Sequence, residues 1–335
     1  MEYIPFGNTG VTVSRVGFGG IPIQRIDAEG TAKLFEKLLE RGVNYIDTAR
    51  GYTVSEEYIG YAIETLGIRD KLFLCTKSMA ATKEAMEKDI ETSLSNLRTD
   101  RIDLYQIHNP GMAKLDAILA PCGALEALLE AKAAGKIAHI GLTCHSTAVF
   151  ERALELDFVE SVMFPYNIVE TQGKELVEKC REKGKAFIAM KPLAGGAIED
   201  GTAAMRYLLT DPCVTVIIPG MYLESEIEEN ASLDSSPLTP DEEERIAKIR
   251  STLTGNFCRR CNYCAPCTVG IQIPSVFLFE GYLERYGLEE WARGRYAGLA
   301  VKASACIKCG ACETRCPYEL PIRDMLERAA KAFGE

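Results

Sequence analysis

The feature that most constrains the fold is an alternation of short, apolar, β-rich runs with longer segments of helical periodicity, beginning near residue 14. The runs predicted as strands are SRVGFGG, GVNYIDT, KLFLCTK, RIDLYQIH, KIAHIGLT, SVMFPYN, KAFIAMK and VTVIIPG. Such alternation predicts βα units around a parallel sheet. Eight units within about 220 residues have the size and order of a (β/α)8 TIM barrel, an α/β fold.

A doubly wound sheet is the alternative arrangement of βα units. Its dinucleotide-binding form needs a G-x-G-x-x-G turn after the first strand. Gly17, Gly19 and Gly20 are present, but Pro22 ends the pattern. The sequence therefore favours the barrel.

Charge and hydropathy exclude several classes of partner. The 335 residues carry a formal net charge of -10, which repels phosphate backbones and anionic lipid. No apolar run is long enough to cross a bilayer, and the first residues lack the basic and apolar regions of a signal peptide. We therefore expect a cytoplasmic protein without nucleic-acid or membrane partners.

A polar stretch containing two prolines follows the last predicted βα unit. It predicts a link out of the barrel, with a helix starting at Thr239 or Asp241. We expect a barrel over 1–232, a linker and helix over 233–256, and a mostly helical domain over 257–335, whose two cysteine runs, CRRCNYCAPC and CIKCGACETRCP, resemble those of ferredoxins.

Four polar residues mark the ends of predicted strands. Asp47, Lys77 and His108 end the second, third and fourth strands, and Tyr52 lies just after Asp47. Each is an ordinary residue for a loop when taken singly, but chemistry in a barrel takes place at these strand ends. Together they suit carbonyl reduction, with Tyr52 as general acid, Lys77 lowering its pKa, Asp47 holding the lysine and His108 orienting the carbonyl oxygen.

These segments resemble a known family. NYIDTARGY, LCTKS and YQIH, in this order and spacing, are similar to the aldo-keto reductases, and the resemblance covers residues 1 to about 232. It implies Asp47, Tyr52, Lys77 and His108 as the catalytic tetrad. It also implies a nicotinamide cofactor across the barrel mouth, with hydride transfer to an aldehyde or ketone, or the reverse.

The resemblance further implies which residues contact that cofactor: Gly20, Asp47, Thr143, Met163, Leu193, Gly195, Glu229 and Asn230. Many members bind the 2′-phosphate of NADPH through basic or hydroxyl residues, where this chain has Gly220, Met221 and Glu226. An anionic Glu226 would repel that phosphate, so we expect either that NADH is favoured or that both coenzymes bind weakly.

Eight of the 13 cysteines fall after position 257, in CRRCNYCAPC and CIKCGACETRCP. The second run has the C-x2-C-x2-C-x3-C-P spacing of bacterial ferredoxins, in which three thiolates bind one [4Fe-4S] cluster and the fourth binds another. Two structural zinc ions are the main alternative, and a disulfide framework is less suited to a reducing compartment. We expect two [4Fe-4S] clusters, as in aldo-keto reductase relatives that carry a ferredoxin-like extension.

The ferredoxin rule predicts crossed ligand sets. One cluster takes Cys258, Cys261, Cys264 and Cys316, and the other takes Cys306, Cys309, Cys312 and Cys267. The first run departs from the rule, because its last gap is two residues and Thr268 replaces the usual proline.

Three functions stay open at this point. In the first, the clusters are an electron port for a carbonyl reductase, with an electron-transfer protein as a possible partner. Nicotinamide moves two electrons and each cluster moves one, so this needs an intermediate carrier such as a flavin, for which no motif is present. In the second, the clusters are structural, the C-terminal domain closes the barrel mouth or docks a partner, and the barrel alone does the chemistry. In the third, the barrel only binds a small molecule.

Overall fold

The structure is a computed structural model that describes residues 1–253, 257–260, 263–316 and 318–335. All eight predicted strands are present, as β3 to β10, and a hairpin precedes them. The strands are β1 (Tyr3–Pro5), β2 (Thr12–Ser14), β3 (Phe18–Gly19), β4 (Tyr45–Asp47), β5 (Phe73–Ser78), β6 (Ile102–His108), β7 (Ile137–Thr143), β8 (Ser161–Pro165), β9 (Ala186–Met190) and β10 (Val216–Ile218).

The eight strands form one parallel sheet that closes on itself. They lie in sequence order from β3 to β10. Parallel bridges Val16↔Ile217 and Gly19↔Gly220 join the first strand to the last. The Gly17 amide donates to the Ile217 carbonyl at 2.8 Å across the same seam. The predicted TIM barrel is thus confirmed, and the doubly wound alternative is excluded.

Helices surround the barrel and continue beyond it. Those up to α9 follow or flank the strands: α1 (Ala28–Glu40), α2 (Ser55–Leu66), α3 (Lys83–Asn96), α4 (Met112–Leu119), α5 (Ala124–Ala133), α6 (Thr147–Leu154), α7 (Lys174–Glu182), α8 (Gly201–Leu209) and α9 (Glu224–Ser232). In α3, Met86, Ile90 and Leu94 recur at helical spacing and are buried in the core outside the strands.

The hairpin β1–β2 was not predicted from the sequence. It covers the amino ends of the barrel strands, where Asn8 N donates to the Gly184 carbonyl at 2.8 Å and Ser14 N donates to Asn44 Oδ1 at 2.7 Å. Phe6 and Val13 from this segment are fully buried in the barrel interior. Because this end is covered, the opposite end of the barrel is the one available for a site.

The predicted link contains a helix that packs against the barrel. Helix α10 (Pro240–Leu253) begins between the two expected start positions. Arg206 of α8 donates to Glu242 at 2.9 Å, and Ile246 is buried in a cluster with α8. Residues 254–256 of the expected linker lie outside the described residues.

The C-terminal region is helical, as expected. Helices α11 (Ile273–Glu284), α12 (Glu289–Ala297) and α13 (Ile322–Phe333) pack around a second core that includes Val276, Phe277 and Leu326. Across the described ranges, no helix has both the length and the apolar character needed to span a bilayer.

Candidate functional site

The four polar side chains predicted at strand ends lie at the carboxyl end of the barrel. Asp47 is the last residue of β4, Lys77 is the penultimate residue of β5, and His108 is the last residue of β6. Tyr52 lies in the loop between β4 and α2. Neighbouring parallel strands end at the same edge, so their terminal side chains converge.

Asp47 and Lys77 form a buried ion pair. Lys77 Nζ lies 2.6 Å from Asp47 Oδ2 and donates a second hydrogen bond of 2.8 Å to the Thr48 carbonyl. The lysine side chain is 2% exposed and the aspartate 3%. Burial raises the pKa of Asp47, and the charge of Lys77 opposes that rise. Each charge therefore needs the other, since a lone buried charge is strongly destabilising.

Tyr52 lies against this pair. Lys77 Nζ is 4.9 Å from the centre of the Tyr52 ring, and the His108 ring meets that ring edge-on with centroids 6.1 Å apart. Burial raises the pKa of Tyr52 well above its usual value, while the charge of Arg295 opposes the rise. The lowering expected from Lys77 is therefore not the net effect in this structure. The phenol holds its proton at neutral pH and can donate it.

His108 is neutral at physiological pH. Burial lowers its pKa to about 3, and the charges of Lys77 and Arg295 act in the same direction. Its Nδ1 is buried and has no hydrogen-bond partner among the described residues. A neutral imidazole has one N–H donor, which suits it to bind a carbonyl oxygen.

A cavity of about 290 Å³ lies at the barrel mouth beside the tetrad, with Asp47 and Tyr52 in its lining. Of the residues predicted to contact the cofactor, those that line the cavity are Gly20, Asp47, Met163, Leu193 and Gly195. Gly195 and Gly196 form part of one wall with φ values of 70° and 82°. The Gly196 amide donates to the Leu193 carbonyl at 2.9 Å, but a wall without Cβ atoms still lets a ligand approach the backbone closely, which fits a dinucleotide phosphate.

The other three predicted cofactor contacts are engaged elsewhere. Thr143 Oγ1 accepts a hydrogen bond of 3.0 Å from Asn109 N. Glu229 Oε1 accepts one of 2.9 Å from the Thr202 hydroxyl. Asn230 Nδ2 donates to the Glu226 carbonyl at 2.8 Å. Their cofactor roles stay predictions, because none of the three lines the cavity.

Sequence reasoning did not identify the C-terminal residues that contribute to this cavity. Tyr282, Arg285, Tyr286 and Leu288, from the end of α11 and the following loop, line it together with the barrel residues. Arg285 Nε donates to the Gly195 carbonyl at 2.8 Å. No local pattern marks these positions, since only the docking of the two regions brings them to the mouth.

Two cations of the barrel were also missed, Arg25 and Lys191. Lys191 follows β9 directly and has a φ of 58°, a backbone conformation that is uncommon for a lysine. Its place after a strand was the available signal, because the tetrad residues were found by the same rule.

A buried ion pair joins the barrel to the first cysteine run. Arg260 Nη2 lies 2.8 Å from Glu170 Oε1, and the glutamate side chain is 0% exposed. Glu170 Oε2 accepts from Asn167 Nδ2 at 2.9 Å, and the same amide donates to the Lys191 carbonyl at 2.9 Å. These contacts connect Arg260 of the first cysteine run, through Glu170 and Asn167, to Lys191 in the wall of the cavity.

Four of the predicted cluster ligands line one small cavity: Cys267, Cys306, Cys309 and Cys312. The set combines both runs, and its donors are the thiolates that iron–sulfur clusters use. Thr268 Oγ1 lies 3.3 Å from Cys309 Sγ, and this contact is the main cause of a lowered pKa of that thiol. Cys309 is therefore easier to deprotonate.

The remaining ligands pack in the same C-terminal core. Cys258, Cys264 and Cys316 lie in or against the cluster of buried side chains that contains Val276. Cys261 lies outside the described residues, as does Pro317 of the ferredoxin pattern. In the described part of the chain, no three His, Cys, Asp or Glu side chains are grouped so as to hold a single metal ion.

Comparison with known proteins agrees with this arrangement. A model described as the aldo/keto reductase family matches residues 15–203. The chain belongs to the aldo/keto reductase family. A second model, a 4Fe-4S dicluster domain, matches residues 257–321. This oxidoreductase therefore carries an iron–sulfur domain after its reductase barrel, which favours iron–sulfur clusters over the zinc alternative.

Relatives of this reductase match part of its length. The aldo-keto reductase YhdN of Bacillus subtilis is 31% identical over 194 residues, which is 53% of this chain and 57% of that protein. An NADH-specific methylglyoxal reductase of Escherichia coli is 27% identical over 239 residues, covering 62% of this chain and 72% of that protein. The solved aldo-keto reductase AKR11C1 of Bacillus halodurans has a TM-score of 0.65 at 24% identity, covering 74% of this chain and 96% of that one.

Proposed function

We propose that this reductase transfers a hydride between NAD(P)H and a small aldehyde or ketone, or catalyses the reverse alcohol oxidation, with Tyr52 as general acid. The observation that supports this best is the contact of the Tyr52 ring with both Lys77 Nζ and the His108 ring beside a cavity.

Each residue of the tetrad has a separate role in the proposed reaction. Bound NAD(P)H would supply the hydride. Tyr52 donates the proton that the developing alkoxide needs, and it is protonated at neutral pH because burial raises its pKa. Lys77 stabilises the phenolate left behind, and Asp47 holds the lysine 2.6 Å from its carboxylate. Neutral His108 orients the carbonyl oxygen through an N–H group.

Replacing the general acid tests the mechanism. Tyr52→Phe removes only the hydroxyl, and we expect turnover with NADH to fall by about 10²- to 10⁴-fold for methylglyoxal and for a panel of aliphatic and aromatic aldehydes. Tyr58→Phe is the matched control, because Tyr58 packs against the outer core and does not line the cavity. Turnover that survives in Tyr52→Phe would mean a different acid, and no turnover in the wild type would favour a binding module.

For the cofactor we propose a preference for NADH. Glu226 lines the cavity, and its Oε2 accepts hydrogen bonds from the amides of Tyr222 at 2.7 Å and Leu223 at 3.0 Å. This fixes a negative charge where a 2′-phosphate would be repelled. The name of the Escherichia coli relative, an NADH-specific reductase, is consistent with this preference.

The dissociation constants of NADH and NADPH test this preference, and Glu226→Gln should strengthen NADPH binding selectively. Tighter NADPH binding by the wild type contradicts the proposal.

In the C-terminal domain we propose two [4Fe-4S] clusters with crossed ligands. One is bound by Cys306, Cys309, Cys312 and Cys267, and the other by Cys258, Cys261, Cys264 and Cys316. The shared cavity of the first set supports this division. Cys267→Ser and Cys306→Ser should then lose the same cluster signal in electron paramagnetic resonance, while Cys316→Ser loses the other. Loss of one signal by both Cys267→Ser and Cys316→Ser would contradict the crossing.

Two roles for the clusters remain to be separated. As an electron port they would serve a partner protein, with a flavin or a radical-capable substrate bridging one- and two-electron chemistry. The C-terminal residues over the cavity favour a structural role, in which the domain covers the barrel mouth. Anaerobic purification with iron, sulfide and flavin analysis, followed by NADH addition, distinguishes them, because only the first predicts bleaching of the cluster absorbance. We propose a cytoplasmic location in either case.

A further inference from the structure

Three cations line the barrel-mouth cavity without a carboxylate partner among the described residues: Arg25, Lys191 and Arg285. The carboxylates that line it are already engaged, Asp47 by Lys77 and Glu226 by two backbone amides. The cavity therefore carries an excess of positive charge. Such a site attracts an anion, because these three cations have no carboxylate partner among the described residues.

The two arginines reach the cavity from different domains. Arg285 follows α11 of the iron–sulfur domain and uses its Nε to bond the Gly195 carbonyl at 2.8 Å. Its two terminal nitrogens have no hydrogen-bond acceptor in the described ranges. Arg25 comes from the barrel, and its Nη2 would lie 3.6 Å from a Cβ placed on Gly287 of the iron–sulfur domain. Each arginine thus touches the opposite domain.

We propose that Arg285, together with Arg25, binds the pyrophosphate of the dinucleotide, so that the cofactor is held between the barrel and the iron–sulfur domain. This rests on the proposed use of NAD(P)H. A guanidinium presents paired N–H donors that match phosphate oxygens, and a pyrophosphate offers two negative charges to two arginines. A Cβ on Gly196 would lie 3.4 Å from Arg285 Cβ, and one on Gly195 would lie 3.6 Å from the Tyr286 hydroxyl, so the two glycines let these side chains approach the wall of the cavity closely.

Coupling between cofactor binding and domain docking follows from this arrangement. Arg285 is positioned by the iron–sulfur domain, so a nucleotide bound to it strengthens the docking of that domain on the barrel. By linkage, docking strengthens nucleotide binding by the same factor. Tyr282, Tyr286 and Leu288 would then cover the bound cofactor, since they line the same cavity.

Calorimetry on the full-length, cluster-loaded protein tests the proposal with NADH and with ADP-ribose, which carries the pyrophosphate but lacks nicotinamide. For Arg285→Ala we expect both dissociation constants to rise by about ten- to a hundredfold, and Arg285→Lys should lie between. Arg293→Ala is the matched control, because Arg293 lies on α12 of the same domain and pairs with Glu289 at 2.8 Å. Unchanged visible absorbance per chain shows that the clusters are retained.

Hydrogen exchange gives a second readout that does not depend on activity. ADP-ribose should slow exchange of the amides of residues 282–288 in the wild type and leave them unchanged in Arg285→Ala. If the wild type binds NADH and ADP-ribose and Arg285→Ala binds both with the same dissociation constants, the proposal is overturned. A variant that loses NADH affinity but keeps ADP-ribose affinity also overturns it, since Arg285 would then serve the nicotinamide end or the substrate. A wild type that binds neither ligand overturns the proposed cofactor itself, and this proposal with it.

Discussion

The Arg260–Glu170 ion pair should hold the iron–sulfur domain on the barrel, and its removal should weaken the whole protein. Arg260→Met deletes the charge but keeps most of the side-chain length. Among the described residues, it leaves Glu170, which is 0% exposed, with the Asn167 amide as its one side-chain hydrogen-bond donor. Breaking a buried pair from one side costs about 3–5 kcal/mol, because the remaining charge stays desolvated.

The structure supplies a matched control for this variant. Lys308 occupies the corresponding place in the second cysteine run, two residues after the first cysteine, and has a φ of 56° against 60° for Arg260. Its ion pair with Glu327 is open to solvent, with side chains 64% and 46% exposed. Lys308→Met should therefore cost less than about 1 kcal/mol.

Anaerobic urea unfolding, followed by far-ultraviolet circular dichroism and by cluster absorbance, measures these free energies. Glu170→Gln should cost about 2 kcal/mol, and the double variant should cost about 2 kcal/mol less than the sum of the two single variants, because the residues are in contact. If the ion pair mainly holds the iron–sulfur domain on the barrel, Arg260→Met will lose its cluster absorbance at a lower urea concentration than its far-ultraviolet signal. A loss in Arg260→Met no larger than in Lys308→Met, or additive single effects, would refute the reasoning.

Three further predictions concern the tetrad and a cluster. The pKa of Tyr52 is raised and that of His108 is lowered to about 3, so neither residue changes protonation between about pH 5 and pH 9. A pH profile of kcat/KM for reduction should therefore be flat over this range. An inflection in the wild-type profile that shifts to another pH in His108→Gln would contradict this. Asp47→Asn should destabilise the fold by about 3–5 kcal/mol in urea unfolding, since its buried lysine partner loses the counter-charge, and an effect below about 1 kcal/mol would mean that the lysine is hydrated. Thr268→Val removes a hydrogen bond to the Cys309 sulfur, so it should lower the reduction potential of one cluster by about 20–60 mV in a redox titration. An unchanged potential would mean that the Thr268 hydroxyl does not donate to that sulfur.

The barrel and the tetrad were predictable from the sequence because both depend on local order. Each strand run is apolar and β-rich, and the rule that parallel strands end at one edge brings Asp47, Lys77 and His108 together without knowledge of the packing. The sign of the Tyr52 pKa shift was not predictable. It depends on the competition between a nearby lysine and burial, and burial is a property of the assembled fold.

The hairpin and the domain contacts were missed for different reasons. Strands β1 and β2 have three residues each, too few to show a period. The contacts of the iron–sulfur domain join distant positions, such as Arg295 Nη2 to the Gly51 carbonyl at 3.0 Å and Arg285 to Gly195. No spacing in the chain encodes such pairs, because they result from docking two separately folded cores.

The position of the iron–sulfur domain changes what a structural cluster would mean for this reductase. Domains this small rarely have a core large enough to be stable without a metal or a disulfide, and cysteines are part of this core. Loss of the clusters should therefore disorder α11 and the loop after it. The same segment supplies Tyr282, Arg285, Tyr286 and Leu288 to the barrel-mouth cavity. Clusters that only fold the domain would thus still control cofactor binding, and oxidative damage to them would inactivate the barrel even if no electron passes between the two.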